Sequence, residues 1–204
     1  MSEEKKERII AAAKKAFAEK GFSAVGIREI AKHAGINSAT LYHYFKNKEE
    51  LYAAVLGKTF EEILSIMGEI ARMPHTDIPD GMLIRESIYR YMDFLNDNRD
   101  FLKIMIHELN LDSDLISIIS KRYMKEFFSQ TEEFIAEQQE MAGDIIRQNS
   151  AKHHLISSIG LCVVHFLLAP ILEAIEGEDQ FTRKKLDERK EAIVDLMLYG
   201  MLES

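Results

Sequence analysis

The segment Ile27–Lys48, IREIAKHAGINSATLYHYFKNK, restricts the fold more than any other part of the 204-residue chain. Ile27, Ile30, Ala31 and Ala34 stand at offsets of three, four and seven, which puts them on one face of a short helix. Gly35 breaks that run. Asn37 or Ser38 can cap a second short helix, in which Leu41 and Phe45 turn inward while Ser38, Ala39, Thr40, Tyr42 and His43 stay outward. Two short helices joined by a Gly-containing turn read as a helix-turn-helix, the unit whose second helix enters the DNA major groove. A purely structural helical hairpin needs the same glycine and the same inward face. The residues after the turn separate the two readings. Tyr42, His43, Tyr44, Lys46 and Lys48 supply phenol, imidazole and ammonium donors within one short stretch, which suits phosphate oxygens and serves a buried core poorly.

The charge distribution agrees with a polyanion at this end of the chain. The net charge of -8 argues against a nucleic-acid partner until it is divided. Residues 1–60 hold eleven Lys or Arg against seven Asp or Glu, a balance of +4, and residues 61–204 hold fifteen against twenty-seven, a balance of -12. A basic head on an acidic body is the pattern expected when only the head approaches DNA.

The rest reads as helix. Only three Pro and ten Gly interrupt a chain that is 47% hydrophobic and 29% charged, so long uninterrupted helices and an all-α fold are expected, with no sheet. Residues 3–20 form a first helix, with Ile9 or Ile10, Ala13, Ala16 and Phe17 inward and Gly21 as a stop signal. Phe17 and Phe22 are the expected core anchors of a three-helix head, residues 1–48, which is small enough to need support from the helices after it. Asn47 and Glu50 form a capping box that opens a fourth helix. That helix runs without proline as far as Pro74 and joins the head to the body, residues 49–204. Further helices are expected at 82–96, 99–109, 114–141, 150–176 and 183–201, about nine in total. A loop at 75–81 and a connector at 142–147 separate some of them. Residues 150–176 are apolar on more than one face, with Pro170 expected to kink the helix or free its i-4 carbonyl, so the last two helices are read as a homodimer interface forming a four-helix bundle. A two-fold pair would read two half-sites of a palindrome.

Cys162 is the single cysteine, which rules out an intrachain disulfide and fits a reducing cytoplasm. No apolar run behind a basic start opens the sequence, and the apolar window 159–175 contains His165 and is read as falling short of a membrane span. The expectation is a soluble cytoplasmic protein without a membrane partner.

The stretch GFSAVGIREIAKHAGINSATLYHYFKNKEELY, residues 21–52, resembles the DNA-binding head of the TetR-like family of bacterial transcriptional regulators. REIA, the AG followed by a branched residue, TLYHYF and the NKEEL that starts the fourth helix carry the resemblance. The close match covers roughly residues 5–55, and beyond it the likeness is one of architecture. It implies that Arg28, Ser38 and Ala39 approach the base edges, that Thr40, Tyr42, His43 and Lys48 hold backbone phosphates, and that Asn37 belongs with them among the residues binding double-stranded DNA. Tyr44 is divided between packing in the head and a DNA contact. The family commonly has Thr or Ser just before the second helix, where this chain has Val25 and Gly26.

The resemblance also implies a repressor released by a small-molecule effector. Met92, Met105, Met124, Phe127, Phe128, Cys162, His165 and Phe166 are the candidate pocket residues, and they favour an apolar or aromatic ligand. The same stripe serves equally as core. His153 and His154 point about 100° apart on a helix, and His154 and His165 lie eleven residues apart, too far to share an ion. No metal or other cofactor is expected. Nucleophile elbows, glycine-rich phosphate loops and HExxH are absent from the sequence, so no enzyme is expected. A second non-enzymatic reading is a ligand-independent DNA-binding or adaptor protein that keeps the fold without the switch.

Overall fold

The structure, a computed structural model, describes residues 2–73, 81–109, 121, 125–142 and 151–201. Among these residues the regular elements are nine α-helices and no strand: α1 (Glu3–Ala24), α2 (Ile27–His33), α3 (Ser38–Tyr44), α4 (Lys48–Ala71), α5 (Met82–Asp97), α6 (Arg99–Leu109), α7 (Lys125–Ala142), α8 (Ala151–Glu176) and α9 (Arg183–Met201). The loop expected at 75–81 falls outside the described residues except for Gly81. The same holds for most of 110–124 and for 143–150, including Met124 and most of the expected connector.

The chain divides into two compact units, Met1–Glu62 with Asn98–Lys125, and Ile63–Asp97 with Glu126–Ser204. This division differs from a boundary at residue 48. It cuts within α4, and it places α6 with the head.

In the first unit α1 buries Ile9, Ala13, Ala16 and Phe17, the face set by its three- and four-residue spacing. Gly21, at φ 75°, interrupts the helical backbone at the expected stop. Phe17 meets Tyr52 edge-on at 5.1 Å, and Phe22 meets it at 4.9 Å, so the two anchors converge on a residue of α4. Ile30, Leu41, Leu51 and Leu56 complete this core. The support that so small a head requires comes from α4 and α6. Here α1 packs along α6, Phe60 meets Phe101 edge-on at 5.3 Å, and Lys14 Nζ donates to Asn98 Oδ1 at 2.6 Å. Burial lowers the Lys14 pKa against the opposing pull of Glu62 and Asp100.

In the second unit α5 packs on α8 and α9, burying Ile88, Met92 and Leu95 with Leu155, Cys162, Ala169, Leu186, Ile193 and Val194. Polar clamps tie α5 to α9. Lys190 Nζ reaches Asp93 at 2.6 Å and Asp187 at 3.2 Å, and Arg85 and Tyr89 both donate to Glu191. The α8 helix continues through Pro170. It leaves Ile156, Val164, Leu167, Leu168, Ile171 and Ile175 exposed.

One sequence expectation is corrected here. Lys152–Glu176 is long and apolar enough to cross a membrane by length and composition, with a mean hydropathy of 2.3 over an 18-residue window of which 28% is buried. A single histidine does little to lower the mean of a window that is otherwise largely Leu, Ile, Val and Ala.

Candidate nucleic-acid interface

The α3 helix is fixed at its start by its own sequence. Asn37 is the cap of α3. Its Oδ1 accepts from Thr40 N at 2.7 Å and from Thr40 Oγ1 at 2.9 Å, satisfying a backbone donor that the first turn leaves open. The turn before it closes α2 through Ile36 N–H to Ala31 O at 2.9 Å and Gly35 N–H to Lys32 O at 3.1 Å, a termination that needs a left-handed residue. Gly35 supplies it at φ 68°. Arg8 of α1 reaches across and donates from Nη2 to Ala34 O at 2.7 Å. A Cβ on Gly35 would lie 2.9 Å from that same Nη2. Sequence reasoning missed Arg8, because nothing in its local pattern distinguishes it from a solvated surface arginine.

With Leu41 fully buried and Phe45 nearly so, α3 turns its other face outward. Ala39, Tyr42 and His43 are exposed, Tyr42 by 53%, while Ser38, Thr40 and Tyr44 are half-buried. Arg28 stands exposed on α2. In this state the Thr40 hydroxyl gives its one proton to Asn37. A phosphate oxygen only accepts, so Thr40 must release that bond before it can donate to one. The Asn37 side chain is likewise engaged in the cap. Tyr44 Oη donates to Ser2 O at a long 3.4 Å.

Lys48 begins α4 with its Nζ 4.3 Å from the centroid of the Phe22 ring, an attraction between the ammonium and the negative ring face. Burial lowers its pKa, and Glu49 opposes the shift. Asn47 caps this helix through Glu50 N at 2.7 Å. Glu50 Oε2 returns to Lys46 N at 2.7 Å, one residue earlier than the cap residue's own N–H. Gly26 precedes α2 without a side-chain cap, and its carbonyl accepts from Glu29 N at 3.0 Å and Ile30 N at 3.2 Å.

The effector candidates are not all brought together. Met105 is half-buried in the first unit. Met92 and Cys162 are fully buried in the second unit. Burial pushes the Cys162 thiol up to about 12 and, together with Cys162, raises the Tyr91 phenol. His165 and Phe166 instead pack around Phe181, just before α9. Phe166 stacks on that ring at 5.9 Å, and His165 Nε2 lies 3.2 Å from Gln180 O. Burial lowers the His165 pKa, with the Gln180 carbonyl opposing. Phe128 is half-buried on α7, the Phe127 side chain lies outside the described residues, and so does Met124. No group of three metal-ligating side chains occurs among the described residues.

The two short helices and their glycine-closed turn, with Asn37 and Asn47 capping the helices on either side, present Arg28, Ala39, Tyr42 and His43 at the surface. Residues 9–55 match the model of the bacterial regulatory proteins of the tetR family. The chain is 34% identical over 109 residues to the uncharacterised HTH-type transcriptional regulator YerO of Bacillus subtilis, a match covering 52% of this chain and 36% of YerO. It is 30% identical over 93 residues to the HTH-type transcriptional activator FasR of Mycolicibacterium smegmatis, covering 46% of this chain and 41% of FasR. These matches thus span well under two thirds of the relatives' own length. Over the whole fold, the transcriptional regulator FadR of Bacillus subtilis, solved in complex with stearoyl-CoA, superposes with a TM-score of 0.75 at 18% identity, covering 96% of this chain and 98% of FadR. The tetR-family match therefore covers the head of this chain, residues 9–55, and the likeness of the whole chain to FadR is one of fold.

Proposed function

We propose that the chain is a homodimeric repressor of a palindromic operator, released by a small apolar or aromatic effector bound in its C-terminal part. In this reading residues 1–48 read DNA and residues 49–204 hold the effector and the dimer face. The observation that carries it is the pairing of a rigidly capped reading helix with an uncovered apolar face on α8. A single such helix reads only a few base pairs. A second copy seated on Ile156, Val164, Leu167, Leu168 and Ile171 supplies the other half-site and removes that face from water. The same burial accounts for the length and apolarity of α8 without a bilayer. An apolar effector is supported by Met92 and Cys162 in the body and by the acyl ligand of FadR, which shares this fold. The continuous α4 is the element that would carry a displacement from the effector to the head.

Arg28 and the start of α3, Ser38 and Ala39, are assigned to base edges, and Tyr42, His43 and Lys48 to phosphates, with Thr40 joining them once its bond to Asn37 opens. Gel-shift titration against the DNA upstream of the protein's own gene, and against palindromes selected from a random pool, tests the reading. Specific, salt-sensitive binding is expected, and its absence from every duplex would sink it. Lys48→Ala should weaken binding to specific and random DNA alike. Arg28→Ala should lower the specific-to-random ratio, by about tenfold or more if a bidentate base contact is lost.

A further inference from the structure

Among the described residues, every charged side chain of α9 from Arg183 to Asp195 holds an opposite charge except Arg189 and Asp195. Arg183 and Lys184 pair with Asp187 and Glu188 at 3.7 and 3.8 Å, Lys185 with Glu176 at 3.1 Å, and Lys190 with Asp93 at 2.6 Å, while Arg85 of α5 holds Glu191. Their own helix offers the remaining two no partner. The residues three and four away are Lys185, Leu186, Ala192 and Ile193 for Arg189, and Glu191, Ala192, Leu198 and Tyr199 for Asp195. Arg189 is half-buried, its Nη2 donates to Leu161 O on α8 at 2.8 Å, and its Nε is buried with no acceptor. A guanidinium keeps its proton, so the charge stays in this part-buried position and is stabilised by a carboxylate brought to it. Asp195 is exposed.

The two charges are placed symmetrically. Ala192, small and exposed, lies three residues from each, about 4.5 Å along the axis on either side, and the exposed Leu196 continues the same face. This face adjoins the uncovered side of α8, because Leu161 stands three and seven residues before the exposed Val164 and Leu168. Two α9 helices crossing antiparallel at Ala192 set position 189 of one copy level with position 195 of the other, and a two-fold axis repeats the contact reciprocally. A parallel crossing there sets Arg189 against Arg189 and Asp195 against Asp195, so charge selects the antiparallel one. An α8 helix cannot take the place of Asp195, since the sequence from His153 to Leu172 contains no acid. The other carboxylates of this stretch of α9, Asp187, Glu188 and Glu191, already hold cations of their own chain.

We infer that Arg189 of each copy pairs with Asp195 of the other where two α9 helices cross at Ala192, a reciprocal pair that sets the register of the homodimer and favours a second copy of this chain over other helical partners. The inference rests on the dimer reading above and adds to it the residues that choose the partner. Its test reverses the charges in the full chain and follows self-association by analytical ultracentrifugation, with native mass spectrometry to tell homodimers from mixed dimers. Arg189→Glu alone and Asp195→Arg alone should each weaken the homodimer by about tenfold or more, since each brings like charges together twice. The double variant Arg189→Glu, Asp195→Arg should return to within about threefold of the wild type, and an equal mixture of the two single variants should form mixed dimers in preference to either homodimer. The exposed control Arg183→Glu should change association by less than about twofold. Arg189→Gln and Asp195→Asn, whose losses should not add when combined, keep the test decisive if circular dichroism shows a reversed variant to be unfolded. A wild-type dimer that ignores the reversals, or single losses that add with no rescue, overturns the pair and leaves the dimer reading standing. Rescue of Arg189→Glu by Glu188→Arg rather than by Asp195→Arg overturns it as well. A wild-type chain that stays monomeric at every concentration tested overturns both.

Discussion

The head and the body bury their apolar residues to different degrees. In the first unit the helix ends are capped by named side chains, the turn is locked by a glycine and an arginine, and Phe17, Leu41 and Tyr52 are almost completely covered. In the second unit a more apolar helix, α8, covers one side and leaves the other to water. A surface that must meet a rigid groove is held by local chemistry, whereas a surface completed by another molecule is left open until that molecule arrives. The contrast gives the two units different sensitivities to substitution.

The largest effect is expected from the head core. Phe17→Ala removes a ring with no exposure and should cost about 3–5 kcal/mol, seen as loss of the thermal transition of the head and of all DNA binding. On the body, Ile171→Glu, at a position 55% exposed, should leave helicity intact and weaken self-association by about 30-fold or more, read by analytical ultracentrifugation. An intact dimer in that variant would move the interface away from α8. Returning to the head, Gly35→Ala should cost about 1–2 kcal/mol for the left-handed backbone alone. The added Cβ also presses on Arg8, and combining it with Arg8→Met should recover part of that loss. Asn37→Ala should cost about 1 kcal/mol through the lost cap, with a larger proportional loss of specific DNA binding than of stability.

The smallest effect belongs to the body and to pH. Burial depresses the His165 pKa in the folded state below its ordinary 6.5, so the unfolded chain takes up the proton first as pH falls. Its contribution to stability is therefore complete above about pH 6.5 and declines between there and the lower folded value. Denaturant midpoints measured from pH 7.5 to 5 should fall less in His165→Gln than in the wild type. Equal slopes would remove His165 as a contributor.

Legibility in the sequence divides along the same line. The caps at Asn37 and Asn47, the stops at Gly21 and Gly35 and the inward Leu41 and Phe45 act over three to six residues, and each shows in a local pattern. Arg8 lies 26 residues from the carbonyl it holds, and the position of α6 in the first unit depends on packing along α1. Neither leaves a local trace. For the proposed effector residues, a stripe of Met, Phe and Cys looks the same whether it lines a pocket or a core. Only the three-dimensional pairing of His165 and Phe166 with Phe181 separated them from Met92 and Cys162.

The central claim is that two heads, joined by the open face of the body, read one palindrome. Fluorescence anisotropy of a labelled duplex carrying a selected palindrome, titrated with the full chain at several salt concentrations beside a duplex with one half-site scrambled, tests it most directly. Two chains per intact duplex are expected, with far weaker binding to the scrambled site and an affinity that falls steeply with salt. One chain per duplex, with the same affinity for both, would contradict it.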